Sequence, residues 1–127
     1  MSGEDGGIQG QTEGQDVDLR RIALLESIRN EDKTWAKLAL RWGVTNPEPP
    51  WKVCLEATCD CLSAGGALDT LERRHAEDEL SETVYSAIPN PERQLLALAH
   101  TMLSRGLVTE EELARRMRSV RARLEVV

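Results

Sequence analysis

The run NPERQLLALAHTMLSRGLVTEEELARRMRSVRARL, residues 90–124, decides the fold class. Asn90-Pro91-Glu92 is a helix start signal, with an asparagine suited to the N-cap and a proline whose missing amide is harmless in the first turn. Leu95, Leu98, Ala99, Met102 and Leu103 follow as one apolar stripe, and Gly106 closes the helix. Thr109 and Glu112 frame a capping box that opens a second helix. There Leu113, Met117, Val120 and Leu124 recur at steps of four, three and four, a coiled-coil-like seam for an antiparallel partner. The two helices are expected to close on each other as an αα-hairpin. No segment shows a credible sheet pattern and there is no internal repeat. The expected class is all-α: a small irregular helical domain ending in an antiparallel αα-hairpin.

Upstream, Asp69-Thr70-Leu71-Glu72 is a further capping box, Asp69 accepting from first-turn amides while Glu72 reaches back. It opens a polar helix carrying Arg73, Arg74 and His75. Residues 81–89 suit either an extended stretch or a short helical turn before Pro89. Gly65-Gly66 end an earlier helix from about Pro50 to Ser63, with Trp51, Cys54, Leu55, Thr58, Cys61 and Leu62 at helical spacing. The prolines between Asn46 and Trp51 separate it from a helix over Asp32–Trp42, where Asp32 is the expected N-cap and Trp35, Leu38 and Trp42 share a side. A first helix is expected from about Asp16 to Asn30. Residues 1–15 contain five glycines and only Ile8 to bury, too little to offset the entropy of ordering. The expected organisation is a disordered tail (1–15), an N-terminal helical arm (16–48) and a helical domain (49–127).

A chain of 127 residues with no Phe, one Tyr and three Trp builds a thin core from Leu, Ala and Val, so apolar surface is expected to be shared with other subunits. The net charge of −6 disfavours general binding to nucleic acid or anionic membranes. No apolar run approaches the roughly 20 residues of a membrane span. No secretory signal is visible, and three cysteines suit a reducing, cytoplasmic setting better than a disulfide framework.

Cys54, Cys59 and Cys61 offer thiolates to a soft metal, but their spacing is not that of a zinc ribbon and no nearby histidine completes a set. Cys54 and Cys61 fall on the apolar face of their helix and are expected to be buried as small hydrophobes. No metal is expected on this chain. His75 and His100 imply no Ser/His/Asp or Cys/His arrangement, and no glycine-rich phosphate loop is present. Arg115, Arg116, Arg118, Arg121 and Arg123 follow three glutamates in the order that complements a helix dipole. A helix-turn-helix placing them on DNA phosphates is the alternative, opposed by the acidic whole. Arg73 and Arg74 read first as a surface pair with Glu72, Glu77 and Asp78 as ion partners, their side chains diverging by about 100°.

The succession Ala57-Thr58-Cys59-Asp60-Cys61-Leu62, Gly66, Glu72-Arg73-Arg74, Thr83-Val84-Tyr85 and Pro89 continues through Leu95-Leu96 and Leu107-Val108-Thr109. It resembles the β-type subunits of the nitrile hydratase and thiocyanate hydrolase family, in nitrile hydratases their N-terminal helical half. The resemblance spans about Val53 to Leu124. It implies a subunit without the metal: cobalt(III) or iron(III) sits on an α-type partner, in a Cys-x-x-Cys-Ser-Cys motif with oxidised cysteines that Cys54–Cys61 does not reproduce. It implies a three-chain enzyme, in which a second small β-type subunit supplies an SH3-like barrel. By the same resemblance Arg74, with Arg73 behind it, hydrogen-bonds the partner's oxidised cysteines. Tyr85 and Asn90 belong to the substrate pocket, Asn90 standing where many nitrile hydratases have a tyrosine. The implied reaction is hydration of a nitrile to an amide, a lyase activity of the complex and not of this chain alone. Hydrolysis of thiocyanate on the same architecture is one alternative, and a non-catalytic helical adaptor or metallochaperone is another. Neither nucleic acid nor membrane is an expected partner.

Overall fold

The computed structural model describes residues 17–125, and the expected tail of residues 1–15 lies outside them. The described residues form six helices and no strand: α1 Ala23–Glu31, α2 Trp35–Trp42, α3 Lys52–Ala64, α4 Thr70–Glu82, α5 Glu92–Ser104 and α6 Glu110–Glu125. The all-α expectation holds. None of these helices is long and apolar enough to cross a membrane.

Helix α5 is the axis on which the others depend. It buries Leu96, Ala97, Leu98, His100 and Thr101, more than the single stripe its spacing predicts. Leu96 and Ala97 join Leu25 of α1, Leu80 of α4, Val84 and Tyr85 in one apolar cluster. Leu98 joins Leu55, Cys59 and Leu68 in a second, with Trp51, Leu62 and Met102 at its edge. Helix α4 packs along α5 and α1 against it. A helix flanked on two sides cannot keep a narrow apolar stripe. The arm is thus part of the core, through Leu25 and the half-buried Val17, Ile22 and Ile28.

Residues 17–22 do not continue α1 upstream as expected; Ile22 is its extended N-cap. The cause is Asp18, whose carboxylate accepts from the Arg20 backbone amide at 3.0 Å and from its guanidinium at 2.7 Å. Such local side-chain bonding competes with helix formation. The Arg20 bonds also hold the Asp18 carboxyl well below the usual carboxylate range. Asp18 offers its carbonyl oxygen to His100 Nε2 at 2.6 Å. Asp32 is not the N-cap of α2: it ends α1 in the left-handed conformation, φ 55°. Thr34 precedes α2 without a side-chain cap bond, and the first amide, Trp35 N–H, is met instead by the Glu92 carboxylate of α5.

Two joints share one backbone design. At the end of α3 the amide of Gly66 donates to Ser63 and that of Ala67 to Leu62; at the end of α5 Gly106 donates to Leu103 and Leu107 to Met102. Gly66 and Gly106 adopt φ 77° and 75°, values that favour glycine at a helix C-terminus. Three residues on, Asp69 accepts from Leu71 and Glu72 amides, and Thr109 and Glu112 cap each other reciprocally. Thr109 thereby holds the Glu112 carboxyl below its ordinary range. Glu72 departs from the expected box: its carboxylate takes Arg105 at 2.7 Å instead of reaching back. Residues 83–88 are turns, Tyr85 N–H donating to Leu80 O and Ile88 N–H to Tyr85 O.

After these joints the helices differ. Helix α4 buries Ala76 and Leu80. Helix α6 buries no residue: Leu113 and Val120 are half-covered, while Met117 is 36% and Leu124 79% exposed. The seam expected to close on α5 is therefore open. Bonds from α6 run to α1, Glu110 accepting from Leu24 N–H at 2.9 Å and Arg121 standing 3.9 Å from Glu31.

Candidate functional site

Cys59, Arg73 and Arg74 meet in a polar recess of about 390 Å³ between α3 and α4, closed on one side by Gln94 of α5. The α3 wall comes from Glu56, Cys59 and Asp60, the α4 wall from the two arginines with Glu77 and Asp78. The buried stripe of α3 is Leu55 and Cys59, so Cys59 turns inward while its neighbour Asp60 stays exposed. On α4, burial of Ala76 and Leu80 against α5 fixes the rotation that presents both arginines to the recess.

The arginines divide their work as their divergence predicts. Arg73 is folded in, its side chain 15% exposed and its Nη1 3.5 Å from Glu77 Oε1. Its Nε is buried without a hydrogen-bond partner. Arg74 is exposed and has no ion partner among the described residues. Burial raises the Glu77 carboxyl above its ordinary value, with Arg73 opposing the shift. Burial likewise pushes the Cys59 thiol up, again against Arg73. A thiol so placed stays protonated near neutral pH and is a poor nucleophile. Cys54 and Cys61 are exposed, contrary to the expected buried pair. The apolar stripe passes between them, through Leu55, Cys59 and Leu62. Among the described residues no three His, Cys, Asp or Glu side chains cluster as a metal site.

Tyr85 and Asn90 do not share this recess. The Tyr85 ring is completely buried, and its hydroxyl lies 2.7 Å from His100 Nδ1. Asp18 contributes a carbonyl, which only accepts, so His100 Nε2 carries the proton and in the neutral ring Nδ1 accepts from the Tyr85 hydroxyl. Burial pushes the phenol up to about 12. In this chain Tyr85 anchors the turn after α4 and presents no surface to a ligand. Asn90 is exposed at the foot of α5 and provides no cap bond there. Its neighbour Pro89 borders a separate cleft of about 490 Å³ with Ile28, Thr34, Trp51 and Glu92. Glu92 and Gln94 carry no local signal for their roles, because their neighbours come from α2, α3 and α4.

Residues 47–126 match the family model described as nitrile hydratase beta subunit, N-terminal. The thiocyanate hydrolase subunit beta of Thiobacillus thioparus is 32% identical over 78 residues, 61% of this chain and 50% of the relative. The chain spans about half the length of the curated relative it matches. No solved structure matches. The matched residues contain α3 to α6 and the recess; α1 and α2 precede them.

Proposed function

The chain belongs to the nitrile hydratase β-subunit N-terminal family, and from that premise we propose that it is the subunit without the metal in a heteromeric nitrile hydratase, which hydrates a nitrile to an amide. Its partners in this reading are a metal-bearing α-type chain with a Cys-x-x-Cys-Ser-Cys motif and a second small SH3-like chain, assembled in the cytoplasm. Cobalt(III) or iron(III) on the α-type chain supplies Lewis acidity toward the nitrile or water. This chain lends the recess and its arginines.

The observation that carries the reading is the split between Arg73 and Arg74. A guanidinium that serves another chain must be free in the isolated subunit, and Arg74 is exposed without an ion partner among the described residues. A planar fork of donors suits the paired anionic oxygens of oxidised cysteines. Arg73, held by Glu77, keeps positive potential behind it. Asn90 is exposed and takes the rim of the substrate pocket in the assembled enzyme. Tyr85 acts only by fixing the turn that carries it.

The test is Arg74→Lys in the complex purified with the subunits encoded beside it. Charge is kept and the fork is lost, so turnover should fall by about 10–100-fold with assembly and metal content unchanged. Wild-type turnover in that complex would sink the assignment. The relative's identity favours a second reading, a thiocyanate hydrolase subunit. Assaying one preparation with a nitrile and with thiocyanate separates the two.

A further inference from the structure

Helix α6 combines an open apolar face with unpaired charge. Met117, Val120 and Leu124 line a shallow groove on it, flanked by Arg116 and Arg121 and, at its C-terminal end, by Glu125. Between Leu113 and Leu124 the helix carries five arginines and no acid. Of these only Arg121 has an ion partner among the described residues, Glu31 at 3.9 Å. The described chain covers this face only in part: Leu113 and Val120 are half-covered and no residue of α6 is buried.

Three occupants can be compared by charge and shape. A second copy, paired antiparallel with Leu113 opposite Leu124 and Met117 opposite Val120, would set Arg116 beside Arg123 of the other copy, like against like. A nucleic acid would satisfy the arginines but leave the apolar seam in water. A helix with its own apolar seam and flanking carboxylates satisfies both features at once. We propose that α6 is a docking site for an acidic amphipathic helix of another subunit of the assembly. This rests on the reading of the chain as one subunit of a complex, but not on the role of Arg74, which lies on α4.

The experiment titrates the full-length chain against a labelled three-heptad peptide with leucine at a and d and glutamate at e and g. The same peptide with lysine at e and g, and a short duplex DNA, are the competing probes. The glutamate peptide should bind and the lysine peptide should not. Val120→Glu, on a helix with nothing buried, should weaken binding at least about ten-fold while the far-ultraviolet spectrum is unchanged. Arg116→Glu combined with Arg123→Glu should transfer preference to the lysine peptide, which a merely structural role for α6 would not produce. The proposal is overturned by no binding, by binding indifferent to Val120→Glu, by preference for the DNA, or by self-association that Val120→Glu abolishes. Failure here with Arg74→Lys still inactivating the complex would leave the functional reading intact. The reverse pattern would remove that reading and keep the docking face.

Discussion

The α3–α4 and α5–α6 joints are built alike and lead to unlike helices. Each ends a helix on a left-handed glycine, Gly66 or Gly106, and restarts one at a side-chain cap, Asp69 or Thr109. After the first, Leu80 and Ala76 are sealed against α5. After the second no residue is buried. At these two joints local chemistry determines where the helix begins, whereas its depth depends on what the rest of the chain brings to it. The buried helix carries the recess and the open one is free for a partner.

Truncation of the buried leucines should break the symmetry most. Leu80→Ala removes side-chain atoms from a position with 0% exposure and should cost about 2–5 kcal/mol in denaturant unfolding. The same change at Leu124, 79% exposed, should stay within about 0.5 kcal/mol. Equal losses would mean that α6 is packed in the isolated chain after all.

The next effect follows the chain out of α4, where Tyr85 locks it to the core. Tyr85 is the sole tyrosine, so its ionisation can be followed by absorbance. Its folded-state pKa is raised from 10 to about 12, so folding favours the neutral phenol. That contribution is complete below pH 10 and is lost as the pH rises through about 12. Ionisation should therefore coincide with alkaline unfolding. A titration near 10 in the folded chain would place the ring in water.

The caps give the smallest and most discriminating difference. Asp69→Ala and Thr109→Ala should each cost about 1 kcal/mol of helix stability. Loss at Asp69 should appear in global unfolding, because α4 is part of the core. Loss at Thr109 should appear only as faster amide exchange along α6.

What was legible in the sequence had its cause within a few residues. The glycine stops, the Asp69 cap and the Thr109–Glu112 box depend on local geometry and stand as expected. The start of α1 was only partly legible: the Asp18–Arg20 bonds that stop the helix are local, but the Asp18 carbonyl is also held by His100, 82 residues away. The cap of α2 comes from Glu92, 57 residues from Trp35. The exposure of Cys54 and Cys61 depends on which side of α3 meets Leu68 and Leu98. Both arginines of the recess could be picked out in the sequence, but which one is held inside could not. That follows from the rotation of α4, which Leu80 and Ala76 fix against a helix two elements removed from α3.

The bond from His100 to the Asp18 carbonyl also bears on where this protein can be cut. The family match begins at residue 47, yet the acceptor for a buried imidazole lies at residue 18, and Leu25 fills the same cluster as Tyr85 and Leu96. A fragment begun at the family boundary would leave an imidazole N–H without its acceptor and bare one side of α5. The unit recognisable by descent is smaller than the unit that packs around α5. A usable fragment must begin upstream of Asp18.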